Sequence, residues 1–600
     1  MKQRIRQFAG LASDMLISFG LVWLTLLEVN TGWSEEMPMM LYTILGLGAV
    51  GMCRILLQRN IRRICWMDVV IALWFLYITL NYWFVSPYPA GERYFSYLSS
   101  MLLYIVLRYS VSDKHKHTVL IALAIGGGYE AVLGLMQLVG WEYSRHSLFD
   151  VTGTFFNPGP YSGYIVVVLS IVTAYLYHRR DLYTFPYVRK GMPHRTIYPT
   201  GIFVLSCVVF YLSVIILPAT WSRAAFVAYI AVLFVLFYKR HKKWVIALVC
   251  LATVAGAFLY WVKADSANGR VLMNTISVRA MTEKPICGHG IGGFAHTFAN
   301  EQALYFEENP DSPFVEVAGS PEYAFNEWMS VGVEQGCTGM LFLTVIVVGT
   351  CIILLRKRNE MAYGWIALWV FALFSYPLSL QPFRILTVLF TAYAANSICK
   401  ERPNERWGRK VRHILWVAMA LMVTYGIIPR IKHKVQTNKE WNMVSGYQHA
   451  AFADDYAEWY NTLSDNPKFL FAYGKILHEL KRYNDSNAAL RDGLMVSSDP
   501  MFYVVTGNNY KALKAYKEAE KSYKTAFYMG PNKMYPLYQL LQLYIESGDE
   551  KEAQEIARRI VDFIPKVRSN ATDEMQQFAS EYLNNKNFKN EYEHESQKEL

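Results

Sequence analysis

The sequence is poor in charge and in cysteine. Only 18% of its 600 residues are charged, against 53% hydrophobic and 15% aromatic. That balance excludes an ordinary soluble enzyme and fits a membrane protein with a polar appendage. Eight cysteines form no CxxC pair and none follows Cys399, so no disulfide framework is expected in the exported parts. No two histidines have metal-ligand spacing and no Asp-x-Asp cluster is evident outside the membrane, so neither a metal nor a cofactor is expected. Gly288-His-Gly-Ile-Gly-Gly293 has the G-x-G-x-x-G spacing, but no strand precedes it and no doubly wound pattern surrounds it. That excludes a dinucleotide site and leaves a tight glycine turn, open to a ligand or to another backbone. A net charge of +11 does not imply nucleic acid, because Lys and Arg cluster in short loops between apolar runs.

What is present is a succession of such runs, near 8–29, 39–57, 64–85, 94–111, 118–141, 162–177, 199–219, 224–239, 244–263, 329–355, 363–379, 383–398 and 412–429. Each approaches the roughly 20 residues needed to span a bilayer, which predicts about thirteen spans. The N-terminal run has no small-x-small cleavage site and reads as the first span. Pro377 and Pro382 interrupt the region 363–398. The basic loops 59–63, 114–117, 178–195, 239–243, 356–358 and 400–412 alternate in the count and predict a cytoplasmic side. The remaining loops, the long insert 264–328 and everything after residue 430 are then periplasmic. Arg430-Ile-Lys-His-Lys434 runs against that rule.

After residue 440 the chain is charged and periodic. Small residues recur at Ser486, Ala519 and Ala553, and prolines at Pro531 and Pro565. A period of about 34 residues with small positions and closing prolines predicts stacked helix pairs resembling the tetratricopeptide repeat. The expected architecture is all-α: a polytopic membrane domain over 1–430 that includes the insert, and a helical-repeat domain over 431–600 with repeats at 468–567.

Four polar motifs could carry chemistry. Gly153-Thr-Phe-Phe-Asn157-Pro fixes a turn at a helix entry. Thr220-Trp-Ser222-Arg223 places a cation near membrane depth, either snorkelling or pairing with an anion. The insert supplies Arg270, Arg279, Gly288, His289 and Gly290. Glu322, Asn326 and Glu327 precede the next span, where a carboxylate is also favoured by the helix dipole alone.

In this order the motifs resemble the O-antigen ligase and O-antigen polymerase superfamily: Gly153-Thr-Phe-Phe-Asn-Pro, Trp221-Ser-Arg-Ala-Ala, Gly269-Arg270 leading to Pro285-Ile-Cys-Gly-His-Gly, and Ala324-Phe-Asn-Glu-Trp with Glu334-Gln-Gly336. The resemblance spans roughly 120–400, and the appended repeats are similar to a variety common in Bacteroidetes-type bacteria. It implies a metal-independent, inverting glycosyltransferase that takes a glycan from undecaprenyl diphosphate on the periplasmic face of the inner membrane. The acceptor would be lipid A-core or a protein hydroxyl. Arg223 and Arg270 match the family's arginines and are expected to hold the donor diphosphate, with Arg279 and Arg384 as further candidates. Two guanidiniums can neutralise a departing diphosphate without a metal. Where many members have histidine, this chain has Phe325; either Glu327, Glu322 or a loop histidine is then the base, or the acceptor needs no strong base because stabilising the leaving group does most of the work. The lipid bilayer and a protein docked on the repeats are the other expected partners. Rival readings are a polymerase joining lipid-linked units, a transporter of lipid-linked sugars and a non-catalytic scaffold.

Overall fold

The computed structural model describes residues 60–89, 92–110, 116–179, 194–262, 264–399, 401–403, 428–446 and 450–584, with residues 12, 14–22 and 26 and four isolated positions between 414 and 425. The expected span 39–57 lies outside the described residues, as does most of 412–429.

The helices are α1 (Trp66–Phe84), α2 (Glu92–Ser110), α3 (Lys116–Leu138), α4 (Pro158–His178), α5 (His194–Ile216), α6 (Arg223–Val262), α7 (Ala264–Glu283), α8 (Phe294–Glu308), α9 (Glu327–Arg356), α10 (Met361–Phe371) and α11 (Gln381–Ile398). After them come α12 (Ile428–Val444), α13 (Ala453–Leu463), α14 (Pro467–Glu479), α15 (Tyr483–Leu494), α16 (Met501–Ala512), α17 (Tyr516–Met529), α18 (Tyr535–Ser547), α19 (Glu550–Val561) and α20 (Asn570–Asn584). Two three-residue strands, β1 (Asn60–Arg62) and β2 (Glu401–Pro403), pair antiparallel with Asn60 opposite Pro403.

The chain divides into two compact units. The first comprises 1–84, 92–262 and 325–433, the second 85–91, 263–324 and 434–600. The insert thus falls in one compact unit with residues 434–600, whereas the expected division set it within the domain 1–430.

The first unit is a multi-pass membrane bundle. Among the described residues five helices are long and apolar enough to cross a membrane: Trp66–Phe84, His117–Leu138, Pro158–His178, Gly201–Thr220 and Glu327–Arg356. α4 is its centre. Every residue from Pro160 to Leu176 is buried, as expected of a helix apolar on all faces. It packs on α3, α5, α6 and α10. One expected span takes another form. The run 363–379 is the short helix α10 followed by a 3-10 turn at Pro377–Ser379, because proline has no N–H to continue the ladder. The two spans expected at 224–239 and 244–263 are two helical segments of α6 that meet at a break in the basic stretch, where His241 has φ −130°.

The second unit is built from helix pairs. α14, α16 and α18 each pack on the next helix in sequence, α15, α17 and α19. Ser486, Ala519 and Ala553 are fully buried where the paired helices meet. The Ser486 hydroxyl donates to the Gly474 carbonyl at 2.6 Å, and Leu490 lies against Gly474. α20 packs on α19.

Candidate functional site

In the first unit, the Gly153 motif is a turn held by α3. Glu130 accepts from the Thr154 hydroxyl (2.5 Å) and backbone N–H (3.1 Å). Gln137 accepts from the backbone N–H groups of Thr152 and Gly153 at 2.9 and 2.7 Å. Asn157 caps α4, its side chain accepting from the Gly159 N–H at 2.8 Å. These bonds are of the kind that the expected turn requires.

Arg223 is the first residue of α6 and is half-buried. Before it, Trp221 adopts the left-handed conformation, φ 50°, and is 71% exposed. Ser222 turns its hydroxyl to the Ala225 N–H at 3.4 Å. A cation at a helix N-terminus faces the positive end of the dipole, a cost that a bound anion relieves.

A buried charge cluster joins the starts of α2, α9 and α11. Arg93 lies 3.2 Å from the Glu334 carboxylate. It also donates to the hydroxyls of Ser330 (2.7 Å) and Ser379 (3.1 Å). Glu327 is 1% exposed and accepts from the Leu378 N–H at 2.6 Å. Arg384 donates to the Ser96 hydroxyl at 2.6 Å and, with Arg93, acts electrostatically on Glu327. Two guanidiniums thus face two carboxylates, the balance that buried charge requires. The glycine of Glu334-Gln-Gly336 breaks α9, with φ 64° and ψ −166°. The break leaves the Gln335 carbonyl to accept from the Tyr77 hydroxyl at 2.6 Å, while its side chain bonds Trp74 and Tyr97.

Beside the cluster lies a cavity of about 120 Å³ between α1, α2 and α11, lined by Ile71, Trp74, Phe75, Ile78, Met101 and Val388 among others. Arg93, Ser96 and Arg384 supply much of its polar lining. An apolar slot with fixed cations at one wall suits an amphiphile with an anionic head. Arg384 and Glu327 were singled out from sequence; Arg93 and Glu334 were not assigned a role, because their partnership spans 241 positions.

In the second unit, Arg270 lies on α7 and is half-buried. A Cβ placed on the preceding Gly269 would touch the Val317 carbonyl oxygen at 3.8 Å. Arg279 pairs with Glu308 at 2.9 Å and Glu301 at 3.7 Å and lies over the Tyr305 ring at 5.8 Å. Burial, then the neighbouring Glu283 carboxylate, push the Glu301 carboxyl up to about 7, and Arg279 opposes them. Its geometry therefore locks α7 to α8. The glycine turn has positive φ at Gly288, Gly290 and Gly292. A side chain on Gly290 would collide with the Ser86 backbone, and the Ser86 hydroxyl donates to the Ile291 carbonyl at 2.8 Å. The close approach is to the segment 85–91. His289 is buried and bonds the Ala280 carbonyl at 2.8 Å through Nε2. Glu322 is exposed. Asn326, in the first unit, caps α9 through the N–H groups of Trp328 and Met329.

One group of three metal-capable side chains is found among the described residues, Cys65, Asp68 and Cys399. Arg108 donates to Asp68 at 2.8 and 2.9 Å and to the Cys399 sulfur at 2.8 Å, and the Tyr104 hydroxyl donates to Asp68 at 2.6 Å. A guanidinium already neutralises this group, which does not fit a divalent cation.

Residues 207–344 match the family model described as O-Antigen ligase. The match runs from within α5 into α9 and includes Arg223, Arg270, Arg279 and Glu327. No curated protein matches the chain.

Proposed function

We propose that this protein transfers a glycan from undecaprenyl diphosphate to lipid A-core or a protein hydroxyl on the periplasmic face of the inner membrane. The observation that carries the reading is the Arg93–Glu334–Glu327–Arg384 cluster beside an apolar cavity, in a chain similar to O-Antigen ligase over 207–344. The cavity takes a short length of the polyprenyl chain, and Arg384 meets its anionic end. Arg223 and Arg270 are each assigned to the donor diphosphate by the motifs they stand in, and a guanidinium there neutralises the charge that grows as the glycosidic bond breaks, without a metal. Arg279 keeps α7 on α8. Glu327 is the base that takes the acceptor proton in an inverting displacement, with the exposed Glu322 as the alternative. Asn326 holds the start of α9 so that Glu327 stays in place.

The experiment is a glycan profile of a deletion strain complemented with the wild-type gene or with Glu327→Gln. The expected result is full-length glycan retained on the polyprenyl carrier and lost from its acceptor in both the deletion and the Glu327→Gln strain. Single capped units on the acceptor would show a polymerase instead. A carrier-linked pool confined to the cytoplasmic leaflet would show a transporter.

A further inference from the structure

The second unit contains a continuous set of contacts from the repeats to Arg270. The 3-10 turn Val315–Val317 lies against α7 at Gly269, the residue before Arg270. That turn is also held by the connectors that close successive helix pairs. Asn532, just after α17, donates its Nδ2 to the carbonyls of Glu316 (3.2 Å) and Ala318 (2.9 Å), on either side of Val317. Lys566, after α19, donates to the Glu316 carbonyl at 3.0 Å.

The same edge of the repeats grips the insert at three further points. Gln302 is 2% exposed and donates to the Met529 carbonyl at 2.5 Å and the Gly319 carbonyl at 2.9 Å. The Ser498 hydroxyl donates to the Pro321 carbonyl at 3.1 Å. His296 gives Nδ1 to the Leu494 carbonyl at 2.7 Å and takes the Asn300 amide at Nε2, 3.0 Å. Burial lowers the pKa of His296, which keeps the ring in the neutral form that this pair of bonds requires. Ala299, Ala303 and Met529 form a small apolar core under these bonds.

Five residues therefore bind main-chain carbonyls at the ends of α15 and α17, in the turn Val315–Val317 and in the stretch 318–321, where regular helical bonds no longer satisfy them. Carbonyl bonds fix a backbone path whatever the side chains do, and a fixed path is what a ligand-holding arginine needs.

We propose that Asn532 and Lys566 are positioning residues for Arg270: the repeats act within the chain as a platform that sets the height and tilt of α7. The proposal rests on the assignment of Arg270 to the donor diphosphate. Its test uses the full-length protein in lipid nanodiscs with a polyprenyl-diphosphate glycan donor. Asn532→Asp keeps the shape but turns two donors into acceptors facing carbonyls. Lys566→Met removes a bond from an exposed side chain and does not threaten folding. Each is expected to raise the donor KM about 5- to 10-fold and to leave the acceptor KM unchanged. Lys566→Arg restores the wild-type value. Added to Arg270→Ala, neither substitution causes a further loss, because both act through that guanidinium.

Wild-type donor KM in both variants, with Arg270→Ala strongly impaired, would overturn the proposal and leave the function standing. Losses that multiply with that of Arg270→Ala would also overturn it, as a mere stability effect. Full activity in Arg270→Ala would overturn the assignment of Arg270 and the proposal with it.

Discussion

Replacing Arg223 or Arg270 with alanine is expected to lower glycan transfer by at least about 100-fold, the scale for removing one preorganised charge donor from a developing anion. The guanidiniums hold the diphosphate in the bound donor and meet the charge it gains as the sugar leaves, so the loss falls on both donor KM and kcat. Lysine at either position is expected to recover only part of the rate, because a point charge cannot reproduce the two parallel bonds of a guanidinium. Arg223 is expected to be the less sensitive of the two. It opens α6 at the positive end of the helix dipole, so the site draws an anion even when the side chain is shortened. Its alanine variant should retain more donor affinity than that of Arg270, which lies along α7. Initial rates at matched protein levels, with donor and acceptor varied separately, measure both effects. Equal rates in wild type and both alanine variants would remove these residues from the site.

The second large effect is on stability. Arg93→Ala leaves Glu334, 2% exposed, without its cation and strips Ser330 and Ser379 of their donor. Breaking a buried pair on one side costs about 3–5 kcal/mol. The expected result is a marked drop in the yield of monodisperse protein and in its thermal midpoint in detergent. Arg93→Met combined with Glu334→Leu removes both charges and is expected to regain most of that loss, while activity stays low because the cavity wall has lost a cation. A single alanine variant as stable as wild type would mean that water reaches Glu334 and that the cluster is not buried.

These two groups of residues differ in how far the sequence reveals them. Arg223 and Arg270 stand beside glycine, tryptophan and serine in short motifs, and order alone brings them to attention. Arg93 stands in no motif, and its meaning lies in Glu334, 241 positions away. Glu327 was visible beside the helix cap Asn326, but not its burial or its bond to the Leu378 N–H.

The helix pairs of the second unit were legible for a steric reason. Ser486, Ala519 and Ala553 are small because a partner helix lies over each, and that need recurs with every pair. The insert was legible as polar and glycine-rich, yet its place with the repeats was not. The bonds that put it there run from Asn532, Lys566 and Gln302 to main-chain carbonyls, which any sequence supplies. The glycine turn shows the same limit: positive φ was readable from Gly288 and Gly290, but not that Ser86 was what approached. The interruption at Pro377 was readable because proline acts on its own backbone, wherever the rest of the chain lies.

The most direct test of the central claim is transfer by the purified protein alone. Wild-type chain in lipid nanodiscs is given a polyprenyl-diphosphate glycan and the acceptor that loses its glycan in the deletion strain, in the presence of a chelator. The account predicts stoichiometric appearance of glycosylated acceptor and free polyprenyl diphosphate, with the anomeric configuration of the transferred sugar inverted. Glycan that stays on its carrier, with protein that is folded and binds donor, would contradict it.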